Sequence, residues 1–290
     1  MAEDPDNRVA PGNTAHPIVA VVTGASGGLG KEIVRGFLAA GATVVAGVRN
    51  PEKGEALRSE LSGISAPGMI EFLPLDTANM RSVRDFASAL GERYRTLQIL
   101  VNNAGAWFNE RRETGEGREL TLATNVLGPY LLTRLLLPQL RASGRARIVN
   151  TVSAAVGDFD VADLEWRKRK YGGFKAYRQS KQALQMVTES LAQSLAGTGV
   201  VVNAVSPGFV KTRFLEGAKG PVATALRAIS FLAVSPEEGA ATPLWVALSP
   251  DLANASGRLY ENRKEKAVLS FDRADLEQLT TRLDELSGRV

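Results

Sequence analysis

The chain contains no cysteine and a single histidine, His16. Disulfides and thiolate chemistry are thereby excluded, and a reducing cytoplasm is the simplest compartment. His16 lies in a polar leader, MAEDPDNRVAPGNTAHP, with nothing around it to orient an imidazole. His/Cys metal sites and Ser-His-Asp triads fall away, and acid/base work passes to Tyr, Lys, Asp, Glu or Ser. Long apolar runs are also missing: no uninterrupted stretch reaches the roughly 18 to 20 residues that span a bilayer. The leader lacks the apolar h-region of a secretory signal. A soluble protein with no membrane partner is expected. Charge of one sign is in small excess, with 35 basic and 31 acidic residues interspersed for a net +4. The densest basic run, RKRK at Arg167 to Lys170, follows Asp158, Asp160, Asp163 and Glu165. It reads as a solvated, self-compensating surface segment, so no nucleic-acid partner is expected.

What the chain does have is alternation. PIVAVVTG, ATVVAGVR, MIEFLPLD, LQILVNNAG, ARIVNTVS and GVVVNAVSPG are short apolar runs, and helical patterns separate them. Asn50-Pro51 opens one of these helices, with Asn as N-cap and Pro at the first helical position. ELTLATNVLGPYLLTRLLLPQLR and the segment 174–196 are the two long helices. Continuously apolar strands that alternate with helices predict a parallel sheet covered on both faces. Right-handed crossovers then give an α/β, doubly wound Rossmann fold. The expected sheet is mostly parallel and seven-stranded, with ASGRLYENRK as its seventh, edge strand. No internal linker divides the chain, so residues 1–16 are taken as a flexible leader and 17–290 as a single domain.

The first strand runs into TGASGGLG, which carries Gly24, Ser26, Gly28, Leu29 and Gly30. Glycines make such a turn tight and let backbone N–H groups approach a pyrophosphate at the positive end of the next helix. The second strand ends on Arg49, with no carboxylate before Glu52. A forked guanidinium there suits a ribose 2′-phosphate, so NADP(H) is expected over NAD(H). Asp76, after the third strand, lies where an adenine amino group could bind. Asn103, Ala104 and Gly105 end the fourth strand on the carboxyl edge where ligands of open α/β sheets sit.

Three elements converge on that edge. Ser153 ends the fifth strand, and Tyr177 and Lys181 stand one turn apart on the helix that follows. A nearby ammonium stabilises a phenolate, so this pair can exchange protons in a chain without a usable histidine. Ser153 could hydrogen-bond the reacting oxygen, and Asn125, inside the first long helix, could join a relay through water. Trp107, Phe108, and the segments 159–174 and 209–231 are candidate substrate walls.

These residues resemble the short-chain dehydrogenase/reductase family over about 17–266: TGASGGLG, NNAG, Asn125, Ser153, YRQSK and PGFVKT. VADLEWRKRKYGGFKAYRQSK and SGRLYENRK are most similar to its retinol-dehydrogenase-like and WW-domain-oxidoreductase-like branch. The resemblance implies that Tyr177 is the acid/base, that Lys181 also holds the nicotinamide ribose, that Ser153 positions the carbonyl and that Asn125 supports the relay. It also implies cofactor contacts at Pro207, Gly208, Val210 and Thr212. A homodimer through the two long helices is preferred, although the insertion between Ser153 and Tyr177 stands beside the second of them. Membrane-bound members of the branch carry an apolar anchor, which this leader lacks. The expected activity is therefore a soluble reductase of a lipophilic ketone or aldehyde, or the reverse alcohol oxidation, in polyketide or other secondary metabolism. The same motifs also fit dehydration, epimerisation or another rearrangement, and a non-catalytic NADP-sensing protein.

Overall fold

The computed structural model describes residues 18–62, 67–211, 221–228, 231 and 233–288. Its first half alternates β1 (Val19–Thr23), α1 (Gly28–Ala39), β2 (Thr43–Val48), α2 (Pro51–Ser62), β3 (Met69–Pro74), α3 (Met80–Arg93) and β4 (Ile99–Asn102). Then come α4 (Leu120–Leu122), a π turn (Ala123–Leu127) that leads directly into α5 (Gly128–Ala142), β5 (Ala146–Thr151), α6 (Gly173–Ser194) and β6 (Val200–Ser206). The chain ends with α7 (Pro221–Ala228), α8 (Pro236–Leu248), β7 (Leu259–Glu261), β8 (Lys264–Lys266) and α9 (Arg273–Leu286).

The strands form one sheet in the order β3-β2-β1-β4-β5-β6-β7-β8, parallel throughout except for β8. The order reverses between β1 and β4, which opens a crevice at their carboxyl ends. Alternation along each strand feeds two separate cores. Val19 and Val21 face one core, with Leu100, Ile148 and Val202, under α3, α5, α6 and α9. Ala20 and Val22 face the other, with Val44, Val101 and Val205, under α1, α2 and α8. This two-sided burial is why the strands read as continuous apolar runs.

The expected Asn50 cap is present: its Oδ1 accepts the Lys53 N–H at 3.2 Å. A capping box not picked out from sequence, Ser235 with Glu238, opens α8. The strand count differs from expectation. LYENRKEK folds into two strands because Asn262 and Arg263 both take positive φ, 51° and 55°. Two such residues make a hairpin turn whose twist suits an antiparallel pair, so β8 adds an eighth strand.

The charged insertion also departs from its expected form. Its acidic and basic halves do neutralise one another, but they fold inward. Asp163 is 5% exposed and accepts the N–H groups of Arg167, Lys168 and Arg169. Leu164, Glu165 and Trp166 are buried with it, and the Arg169 guanidinium lies 4.1 Å from the Trp166 ring centre. A single carboxylate wrapped by three backbone donors can be buried without a net penalty, which a composition-based reading does not reveal.

The two long helices are internal. Within α5 only Pro138, Arg141 and Ala142 are exposed. Along α6 runs α9, with Leu276, Leu279, Leu283 and Leu286 facing inward. Asp284 of α9 accepts the Tyr130 hydroxyl at 2.9 Å, and Arg84 of α3 donates to the Ser287 and Gly288 carbonyls. A homodimer through α5 and α6 would have to accommodate α9, which already packs along α6. Leu279 is fully buried, so Leu279→Ala should lower the unfolding free energy by about 2–4 kcal/mol, measured by urea denaturation. Glu277→Ala, on the exposed face of the same helix, should leave the midpoint nearly unchanged.

Candidate active site

At the end of β1 the chain turns sharply into α1. Gly24 has φ 64°, and a Cβ there would stand 2.9 Å from the Ala104 Cα. A Cβ on Gly30 would collide with the Gly24 carbonyl oxygen, so neither position admits a side chain. Gly27 is the N-cap of α1 and brings no side-chain hydrogen bond, and the first turn contains no acid. The opening N–H groups of the helix therefore face a cradle without a carboxylate, the arrangement that receives a phosphate. Thr23 ties this turn to β4: its hydroxyl accepts the N–H groups of Asn103 and Ala104, both at 3.0 Å. The Asn103 amide donates back to the Thr23 carbonyl at 3.0 Å.

Around the cradle, Leu29 and Val210 meet over Gly239 of α8. Val210 is held by a bridge to Val234, and Gly208 takes φ 77° in the turn before it. Ser26 is half-buried in the turn, and Arg49 is exposed where β2 ends. Asp76 Oδ1 accepts the Ala78 N–H at 3.0 Å, so this carboxylate also shapes the turn after β3. Pro207 follows β6 directly. Thr212 lies outside the described residues. The turn thus fits a dinucleotide by its shape, its N–H groups and its lack of acids.

The reacting centre forms where β4, β5, α6 and the π turn meet. Lys181 is 4% exposed and donates to the Thr151 carbonyl at 2.8 Å. Its Nζ stands 5.8 Å from the Tyr177 ring centre. A Cβ on Gly105 would come within 3.4 Å of that Nζ, so the NNAG loop reaches the lysine as well as the cradle. Burial lowers the Lys181 ammonium to about 8. Burial also raises the Tyr177 phenol, while its hydrogen bond with Ser153 lowers it. The expectation from sequence considered only the ammonium; here loss of water outweighs every other influence on the phenol.

Asn125 sits on the π turn and is fully buried. Its Oδ1 accepts the Ala106 N–H at 2.8 Å, and its Nδ2 donates to the Ala106 carbonyl and the Ser180 hydroxyl, both at 2.9 Å. The side chain therefore braces the loop after β4 against α6. The extra residue of a π turn changes the angle of whatever it carries, and such turns recur at functional sites.

Trp107, Phe174 and Tyr177 stack beside one another, with ring centres 5.3 Å apart for Trp107–Phe174 and 6.3 Å for each pair that includes Tyr177. They form an apolar wall next to the phenol. Phe108 is half-buried behind it, and its carbonyl lies 3.4 Å from the Tyr171 hydroxyl. Thr23, Thr151 and Ser180 also shape the site. Only Thr23, at the glycine turn, carried a sequence signal. A surface recess of about 390 Å³ against β3, lined by Arg58, Ile70, Glu71, Phe72, Arg93 and Tyr94, shares no residue with this cleft.

Comparison with known proteins agrees with this geometry. The short chain dehydrogenase family model matches residues 18–220. Human retinol dehydrogenase 13 is 35% identical over 99% of this chain and 86% of its own length. Mouse polyprenol dehydrogenase is 38% identical over 88% of this chain and 78% of its own. Among solved structures, the Pseudomonas aeruginosa RhlG/NADP active-site complex superposes with a TM-score of 0.66 at 30% identity, covering 86% of this chain and 95% of that one. The chain belongs to the short-chain dehydrogenase/reductase family.

Gly30→Ala should cost about 1–3 kcal/mol of stability by overpacking, seen as a lower denaturation midpoint. Gly115→Ala, where a Cβ meets nothing within 4 Å, is the control and should leave the midpoint in place.

Proposed function

We propose that this protein is an NADP(H)-dependent oxidoreductase that interconverts a lipophilic alcohol and its aldehyde or ketone. The observation that carries the reading is the meeting of Tyr177, Lys181 and Ser153 beside the Gly24–Gly30 cradle. The cradle would hold the pyrophosphate, and Arg49 would meet a 2′-phosphate. The nicotinamide, when bound, supplies or accepts the hydride at the carbonyl carbon. Ser153 and Tyr177 present two hydroxyls to the carbonyl oxygen. In reduction the Tyr177 O–H bond breaks as the substrate oxygen gains its proton, and the phenolate left behind is stabilised by the Lys181 cation. Oxidation runs the same transfer backwards. Thr151 fixes the Lys181 ammonium, and Asn125 holds the loop that faces it.

The Trp107–Phe174 wall supports an apolar substrate. The retinol and polyprenol dehydrogenase relatives favour a long, apolar alcohol over the polyketide carbonyl expected from sequence. The RhlG/NADP complex supports the choice of NADP(H). A reducing compartment, and within it the cytoplasm, is the location that accords with the absence of cysteine.

The test is NADPH oxidation against a graded panel of apolar aldehydes and ketones, with alcohol oxidation run in parallel. Tyr177→Phe should lower kcat by about 10²–10⁴-fold while NADPH still binds. Undiminished turnover would remove Tyr177 from the proton transfer. Arg49→Ala should weaken NADPH by about tenfold and leave NADH nearly unchanged, in keeping with loss of a charge-assisted contact; equal weakening of both would refute the 2′-phosphate role. The Lys181 cation is present below its pKa of about 8 and lost above it. Carbonyl reduction should therefore be full at lower pH and decline as pH rises through about 8, a limb that Lys181→Arg should move upward.

A further inference from the structure

Ser153 stands on a segment that the Arg178 guanidinium grips at two residues. Beyond the Ser153 hydroxyl, which accepts the Ala155 N–H at 3.0 Å, the chain reaches Val156, Gly157 and Asp158. Arg178 donates to the Val156 carbonyl twice, from Nε at 2.9 Å and from Nη2 at 2.6 Å. Its Nη1 donates to Asp158 Oδ2 at 2.9 Å. Gly157 lies directly under the guanidinium with φ 132°, and a Cβ there would collide with Nη2. Asp158 takes φ 58°, a left-handed conformation unusual outside glycine, and its carbonyl accepts Arg169 Nη1 at 2.9 Å. Two consecutive residues in conformations that most side chains avoid persist because surrounding contacts over-determine them. Here three of the contacts come from Arg178, the residue after Tyr177 on α6, and one from Arg169.

This arrangement ties the Ser153 segment to the helical turn that carries the phenol. Ser153 and Tyr177 share a hydrogen bond, so their separation must hold to a few tenths of an ångström for both hydroxyls to reach one substrate oxygen. We propose that Arg178, clamping the Val156 carbonyl together with Asp158, is a positioning residue that holds Ser153 in register with Tyr177. Its role would be exerted through the Val156 carbonyl and Asp158, the groups it holds. A lysine cannot replace it, because three N–H bonds in one plane need the fork of a guanidinium. The proposal rests on the assignment of Ser153 and Tyr177 to proton transfer, and its test separates the two.

Arg178→Lys should lower kcat by about ten- to hundredfold, as expected for a small misplacement at a reacting centre. The NADPH dissociation constant should stay within about twofold, since the cradle is elsewhere. Gly157→Ala pushes a methyl into the same clamp and should give a loss of the same order. Because both changes break one interaction, the double variant should be no slower than the slower single variant. Wild-type kcat in Arg178→Lys, or multiplied losses in the double variant, would overturn the proposal. A second readout does not depend on turnover: NMR titration of ¹³C-labelled tyrosine, assigned with Tyr177→Phe. Loss of the Ser153 hydrogen bond should raise the Tyr177 titration in Arg178→Lys, as it does in Ser153→Ala. An unchanged titration in Arg178→Lys beside a raised one in Ser153→Ala would refute the clamp. If the wild type reduces nothing while Arg178→Lys still raises the titration, the functional reading falls and the clamp stands.

Discussion

A buried ammonium organises the centre of this molecule. Lys181 is withdrawn from water with the Thr151 carbonyl at 2.8 Å, and such a charge is costly unless it is hydrogen-bonded. Thr151 can serve because it is the last residue of β5, where the strand's carboxyl end meets α6. Register brings the neighbouring strand to the same level, since Asn102 of β4 pairs with Asn150 of β5. The loop after β4 therefore arrives beside the lysine, and Gly105 leaves room for the Nζ. The same exclusion of water acts on Tyr177 in the opposite sense, disfavouring the phenolate as it disfavours the ammonium. Phenolate and ammonium together form a pair that burial penalises less than either charge alone. On that mutual dependence rests the proposal that the pair passes a proton and recovers it.

The insertion between β5 and α6 extends this logic outward. Its charges are spent on its own backbone: Asp163 wraps three N–H groups, and Arg169 joins Asp163 to Gln179 of α6 at 2.7 Å. Glu119, also buried, caps α4 through the Thr121 and Leu122 N–H groups and accepts the Tyr171 hydroxyl at 3.0 Å. The C-terminal part of the insertion is thus fastened both to the helix that leads into the π turn and to the helix that carries Tyr177. A polar sequence makes a rigid rim because every buried charge has several donors or acceptors. Tyr171 of that rim also reaches the Phe108 carbonyl, next to Trp107 of the apolar wall.

Much of this was legible before the coordinates. Strand alternation, the Asn50-Pro51 helix start and the glycine turn are local signals, and each follows from backbone sterics or from two-sided burial. Tyr177 and Lys181 were legible because helical spacing puts them on one face and because no histidine competes. What escaped depends on contacts between distant segments. Asp163 reads as a surface residue until three backbone N–H groups turn toward it. Asn125 is picked out as a relay candidate inside a long helix, but nothing local marks the π turn that aims its amide at Ala106. Arg178 reads as one more surface cation, because its partners, Val156 and Asp158, lie some 20 residues away behind an unusual backbone. The eighth strand was missed because Asn-Arg is a weak hairpin signal beside Asn-Gly.

The apolar character of the segment from Leu120 to Ala142 has a structural explanation of its own. It is long and apolar enough to cross a membrane by length and composition, with a mean hydropathy of 1.3, yet 78% of its apolar window is buried within the chain. A helix laid on one face of a sheet ordinarily keeps a polar outer stripe. Here that stripe is largely buried because α5 packs against α3 and the sheet, while its Tyr130 hydroxyl meets Asp284 of α9, whose outer face carries Arg273, Glu277 and Arg282. The leucines of α9 close the same core from beside α6, so a helix that is polar outside and apolar inside supplies the burial that α6 needs on that face.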